Sequence, residues 1–174
     1  MATWNLDKAH SEISFKVKHM MISNVNGSFK DFDITLQSEK EDFTDAKISF
    51  VAQTKSIDTK NEQRDGHLVS ADFFDAEKFP EMTFVSSGLI KESDTDYVLE
   101  GSLTIKDKTQ PIRLNVEFGG VFVDPWGVSK AGFTVSGKLK RSDFGLTWNA
   151  ALESGGVLVS EEVKLMAEVQ FSRA

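Results

Sequence analysis

The chain reads as an all-β protein: an antiparallel sandwich or barrel of about eight strands, with a short helical insertion near residues 60–70. Three observations predict this. Apolar and polar residues alternate with period two through most of the 174 residues, the mark of strands with one buried face. Turn signals recur at short spacing, among them Asn24-Val25-Asn26-Gly27, Ser93-Asp94-Thr95-Asp96 and Asp124-Pro125-Trp126-Gly127. Only one stretch leaves the alternation for long enough to form a helix, too little to cover a long one-faced sheet. Such a sheet must stack on another or close on itself, and the pattern alone allows both.

The elements follow in order. Residues 4–6 form a lead-in and residues 7–11 a turn. Ile13, Phe15, Val17 and His19 share one face of the first long strand, against Ser14, Lys16 and Lys18. The next strand carries Phe32, Ile34 and Leu36; Phe29 is out of phase with them, which predicts a bulge near Lys30 and Asp31. Residues 39–45 form a charged turn in which Glu39-Lys40-Glu41-Asp42 is solvated, and Ile48, Phe50 and Ala52 resume the alternation. Between residues 56 and 80 the pattern stops. Asp58 or Thr59 is placed to cap a helix over residues 60–69, with Glu62 early, where the helix dipole favours a carboxylate. Gly66 weakens that helix by about 1 kcal/mol relative to alanine, so Leu68 and Phe73-Phe74 are its expected anchors. After Pro80, five more strands run through Phe84, through Tyr97 to Ile105, through Ile112 to Phe118, through Phe133 to Leu139, and through Val163 to Phe171. Arg141-Ser142-Asp143-Phe144-Gly145 reads as a short helical corner with Ser142 as its cap.

Composition narrows the function classes. A net charge of -7 argues against nucleic acid or an anionic membrane surface as partner, while leaving small anionic ligands open. The absence of cysteine excludes disulfides, thiolate metal sites and cysteine nucleophiles. No stretch approaches the roughly 20 apolar residues of a membrane helix, so no integral membrane segment is expected. Met1-Ala2-Thr3-Trp4 enters the folded pattern without a basic or apolar leader. A cytoplasmic location is therefore expected, with the periplasm or secretion as the alternative if a signal peptide has been cleaved. Histidines at 10, 19 and 67 have no paired spacing, and neither a nucleophile elbow nor a glycine-rich phosphate loop is present. No metal, cofactor or catalytic residue is expected.

Several runs carry a family likeness. Ser56-Ile57-Asp58-Thr59, Asn61, Arg64-Asp65-Gly66-His67-Leu68, Asp72-Phe73-Phe74-Asp75 and Phe79-Pro80 form the first. Trp4, Leu6-Asp7, His10-Ser11, Phe15, His19 and Gly27-Ser28-Phe29 form the second. Gly101-Ser102-Leu103-Thr104-Ile105 and Arg141-Ser142-Asp143-Phe144-Gly145-Leu146-Thr147-Trp148-Asn149 complete the set. Together these resemble the YceI-like family across nearly the whole chain. The resemblance implies one domain over residues 1–174 with a lipocalin-like barrel, and a ligand that is an isoprenoid lipid such as a polyprenyl quinone or polyprenyl phosphate.

A barrel of eight strands is either filled by side chains or holds one small ligand. With 14 phenylalanines and one tyrosine, the inward phases offer aromatic walls without hydroxyls, which suit a hydrocarbon chain; a dry core of interdigitating phenylalanines has the same pattern. The expected tail contacts are Phe15, Val17, Phe32, Phe50, Phe84, Phe133, Phe144 and Trp148, with Ala52, Gly101, Gly137 and Ala167 leaving room. The expected head-group contacts are His19, Asp58, Arg64 and His67. Three readings stay open for the polar cluster: a structural tie of Arg64 to an aspartate, a head-group site, or an enzyme using Asp65 and His67 on a small amphipathic substrate. A filled barrel acting in stress or as a scaffold is the third class of function. Met20-Met21-Ile22 fits either a portal or a homodimer contact.

Overall fold

The computed structural model describes residues 2–149 and 158–174. Its strands are β1 (Ala2–Leu6), β2 (Glu12–His19), β3 (Ser23–Phe29), β4 (Phe32–Ser38), β5 (Lys47–Gln53) and β6 (Ile57–Asp58), then β7 (Glu81–Lys91), β8 (Asp96–Ile105), β9 (Lys108–Val123), β10 (Ser129–Lys140) and β11 (Val159–Arg173). The helix α1 (Glu62–Leu68) lies between β6 and β7. All pairings are antiparallel, and the order β1-β4-β5-β7-β8-β9-β10-β11 returns to β1, closing a barrel. The alternation is thus resolved in favour of closure, which removes free sheet edges along the ring.

Three of the strands are broken at matching places. β1 and β2 lie end to end along β11, with Leu6 opposite Phe171 and Glu12 opposite Glu168. β3 and β4 follow β2 and β1, and β6 and β5 follow those. The breaks fall at residues 7–11, 30–31 and 54–56, so this part of the sheet turns a corner. Hydrogen bonds cross the corner from Asp7 N to Gln170 O (2.8 Å), Gln53 N to Asp31 O (2.9 Å) and Lys30 N to Ser56 O (3.1 Å). The expected lead-in is therefore a full strand that buries Trp4, and the out-of-phase Phe29 marks a corner rather than a simple bulge.

This corner gives the barrel two unlike ends. At the β1 end the ring of strands is complete. At the β2 end β6 pairs only with β3, because β7 begins opposite Gln53. Residues 59–80, with α1, occupy the place a longer strand would take, and Thr54 N and Oγ1 tie their far end to Pro80 O (2.9 and 3.0 Å).

The complete end is plugged by a residue from the charged turn. Phe43 is 1% exposed, with its ring 5.2 Å from Trp4, 5.4 Å from Phe118 and 5.3 Å from Phe133. It takes a φ of +62°, a left-handed conformation costing a non-glycine residue about 1 kcal/mol or more. Aspartate hydrogen bonds hold the turn in that shape. The Asp45 carboxylate accepts from Ser38 Oγ (2.6 Å), Glu39 N (2.8 Å) and Lys40 N (3.2 Å). Tyr97 Oη donates to Asp42 O (2.8 Å). Glu39, Lys40 and Glu41 are exposed as expected, but the turn they belong to is a stopper.

The expected room at small residues is mostly taken. A Cβ on Gly27 would collide with the Phe15 ring, one on Gly101 with the Phe84 ring and the Val85 carbonyl, and one on Gly137 with Leu114. These glycines let a neighbouring side chain lie flat on the wall. Ala52 is wholly buried and Ala167 alone of the four lines the interior.

Candidate functional site

Inside the barrel is a cavity of about 360 Å³, within the range of roughly 300–1,000 Å³ typical of small-molecule sites. The inward phases build its wall. Ile13, Phe15, Val17 and His19 of β2 line it in the alternation read from the sequence, as do Phe50, Phe84, Phe133 and the β11 set from Val163 to Phe171. Phe15, Val17, Phe50, Phe84, Phe133 and Trp148 therefore all line this cavity.

Phe32 and Phe144 do not line the cavity. Phe32 is buried beside Phe50, ring centroids 6.4 Å apart, and Phe144 is 1% exposed within the 3-10 turn Arg141–Phe144. Phe32 supports the wall from behind. Asp58 is also absent from the lining, because its strand neighbour Ile57 takes the inward position and the alternation turns Asp58 out. Its carboxylate accepts from Lys60 N (2.9 Å) and sits 3.7 Å from Lys30 Nζ.

At the incomplete end, the residues 59–80 bring polar groups to the cavity mouth. The cap of α1 is Asn61, whose Oδ1 accepts from Arg64 N (3.0 Å), rather than Asp58 or Thr59. Thr59 is already committed: its N–H (2.9 Å) and hydroxyl (2.5 Å) donate to Asp65 Oδ1. Arg64 in turn donates from Nε to Thr59 Oγ1 and from Nη2 to Thr59 O, each 2.8 Å. The tie between helix and rim thus runs through Thr59, not through an arginine–aspartate pair. His67 Nε2 lies 2.8 Å from Asp72 Oδ2, whereas Asp65 Oδ1 is taken by Thr59. The His67 ring stands edge-on to Trp148 (4.7 Å) and Phe73 (5.1 Å), so three rings gather at the rim. Leu68, Phe73 and Phe74 line the cavity, and Phe74 meets Phe29 edge-to-face at 5.8 Å, which anchors the short helix as expected.

The helical corner supplies a further polar group. Arg141 is 5% exposed and lines the cavity. It donates from Nε to Ser160 O (2.8 Å), from Nη1 to Leu146 O (2.7 Å) and Trp148 O (3.2 Å), and from Nη2 to Val159 O (3.3 Å). One side chain thereby fastens the corner and Trp148 to the start of β11. Burial pushes its pKa down from the ordinary arginine value, and the negative charge of Glu161 works in the opposite direction. Glu161 itself caps the corner, accepting from Ser142 N at 2.7 Å; Ser142 serves as donor, not as the expected side-chain cap. An arginine following an alternating strand at a helical corner was the available signal for Arg141, but its carbonyl partners lie up to 19 residues away.

The model of the YceI-like domain matches residues 4–171. The chain belongs to the YceI-like family. A UPF0312 protein of Staphylococcus epidermidis is 44% identical over 173 residues, covering 99% of this chain and 98% of the relative. The crystal structure of the Campylobacter jejuni YceI protein is 36% identical with a TM-score of 0.76, covering 94% of each chain. A polyisoprenoid-binding domain from Saccharophagus degradans is 12% identical with a TM-score of 0.69, covering 98% of each chain, and shares the fold. In this YceI-like barrel, among the described residues, no helix is long and apolar enough to cross a membrane. His19 lines the mouth end of the cavity, half-buried, and Met20, Met21 and Ile22 stand exposed beside it. Met20 and Met21 both take positive φ, so the β2–β3 turn presents these apolar side chains to solvent.

Proposed function

We propose that this barrel is a binding protein that sequesters or carries an isoprenoid lipid or a similarly long apolar chain. The observation that carries the reading is the cavity: its wall is built mainly from aliphatic and phenyl side chains, with Ser14, His19, Arg64, His67 and Arg141 as the few polar residues among those described. Burying a hydrocarbon there gains roughly 25 cal/mol per Å² and strands no polar atom. The domain of like fold from Saccharophagus degradans is described as polyisoprenoid-binding, which supports a prenyl chain in particular. The chain would enter through the mouth, lie between Phe15, Phe50, Phe84 and Phe133, and leave its head near Arg64 and His67. No reaction is part of this reading: Asp65 is held by Thr59, and His67 by Asp72.

The test is mass spectrometry of a solvent extract from protein purified without detergent, followed by titration with prenyl alcohols and quinones of graded length. A bound prenyl species, or saturable binding lost in Phe50→Trp and Ala167→Phe variants that still melt cooperatively, is the expected result. Failure of every chain to bind would overturn the proposal in favour of a barrel whose interior has no ligand.

A further inference from the structure

The charged side chains that line the cavity are one-sided among the described residues. Its titratable lining residues among those described are Arg64, Arg141, His19 and His67, with no aspartate, glutamate or lysine. This is unexpected for a chain carrying 27 acidic against 20 basic residues. No ion pair joins either guanidinium to a carboxylate among the described residues; their hydrogen bonds go to a threonine and to backbone carbonyls. Glu161, the acid whose field reaches Arg141, is bound to the Ser142 N–H. Neutral carbonyl dipoles satisfy Arg141's donors without cancelling its charge. Arg64 keeps both N–H groups of Nη1 without a partner among the described residues.

Resting on the reading of the cavity as a lipid-chain site, we propose that its mouth selects chains that end in an anion, a phosphate or a carboxylate, over chains ending in a neutral hydroxyl or quinone. A neutral head would accept one or two ordinary hydrogen bonds and leave the buried positive charge uncompensated. An anionic head receives charge-assisted bonds from the Arg64 fork and lies in the field of Arg141. Arg64 is the donating group; Arg141 contributes fixed charge while its hydrogen bonds stay with the corner. Among the described lining residues there is no carboxylate to repel such a ligand, and the nearby Asp65 and Asp72 are engaged by Thr59 and His67.

The test compares farnesyl phosphate with farnesol, equal in chain and different in head, by calorimetric titration of the intact protein below the aggregation limit of each. Wild type is expected to bind the phosphate at least about tenfold more tightly. Arg64→Gln narrows the gap by lowering the phosphate's affinity alone, leaving the smaller preference due to Arg141, and Arg64→Lys retains more of it. Equal binding of both probes by the wild type overturns the anion selectivity and leaves the lipid-chain reading in place. A preference that survives Arg64→Gln undiminished overturns the role given to Arg64. Binding of neither probe overturns both readings together. Hexadecanoate against hexadecanol then separates a general anion site from one that requires phosphate.

Discussion

At one end of the barrel the closing residue is Phe43, pressed among Trp4, Phe118 and Phe133; at the other it is Arg141, bonded to four backbone carbonyls beside Trp148. The first end is held by ring packing within a complete ring of strands. The second is held by directional bonds within the inserted segment, from Arg64 to Thr59, from Thr59 to Asp65 and between His67 and Asp72. Packing among rings has many small contributions and no preferred opening. A few hydrogen bonds, each net about 1 kcal/mol, open locally at modest cost. The difference bears on the proposed ligand path: the plugged end is packed shut, and the latched end is the one through which a ligand would enter.

The largest blow to this contrast falls on the plug. Phe43→Ala leaves a void among three rings and is expected to lower the unfolding free energy by about 3–5 kcal/mol in chemical denaturation. Loss below 1 kcal/mol would mean that the turn is only draped over the barrel. Next comes the mouth. Arg141→Met removes the donors of four carbonyls and is expected to cost about 2–3 kcal/mol, with amide exchange accelerated in residues 142–148 and not in β8 or β9. Exchange that speeds up equally everywhere would erase the distinction between a latched end and a plugged one.

The smallest effect is electrostatic. The Ser38 hydroxyl, helped by the Glu39 and Lys40 N–H groups and opposed by partial desolvation, holds the Asp45 carboxylate below its ordinary pKa. A depressed carboxylate stabilises the fold fully above its unfolded value of about 4, and that contribution fades as pH falls through the folded value. The melting-temperature gap between wild type and Asp45→Asn should therefore stay level above about pH 4 and narrow below it. A gap that widens on acidification would contradict the assignment.

Much of the wall was legible because it rests on local repetition. Phe15, Val17 and His19, or Phe133 and Val135, share a face whatever the sheet does next, since neighbouring strand residues point to opposite sides. The same rule, applied to β6, turns Asp58 outward once Ile57 is known to face in, which required the pairing of Phe29 with Ile57. Arg64 and His67 stood out because charged groups interrupt the alternation there. Phe32 and Phe144 were misplaced for the opposite reason: an apolar residue in phase is buried, but burial against a neighbour and exposure to a cavity look alike in one dimension.

By itself the sequence determined the strand faces, the inserted segment and the aromatic character of the interior, because alternation and turn chemistry act over two to four residues. Only the tertiary structure decided how the ends are closed. Phe43 became a plug because Trp4, Phe118 and Phe133 converge on it from three distant strands, and Arg141 became a buried cation because four carbonyls from two segments surround it. Neither residue differs locally from a solvated turn residue. Their burial depends on contacts across the barrel, which no local pattern encodes.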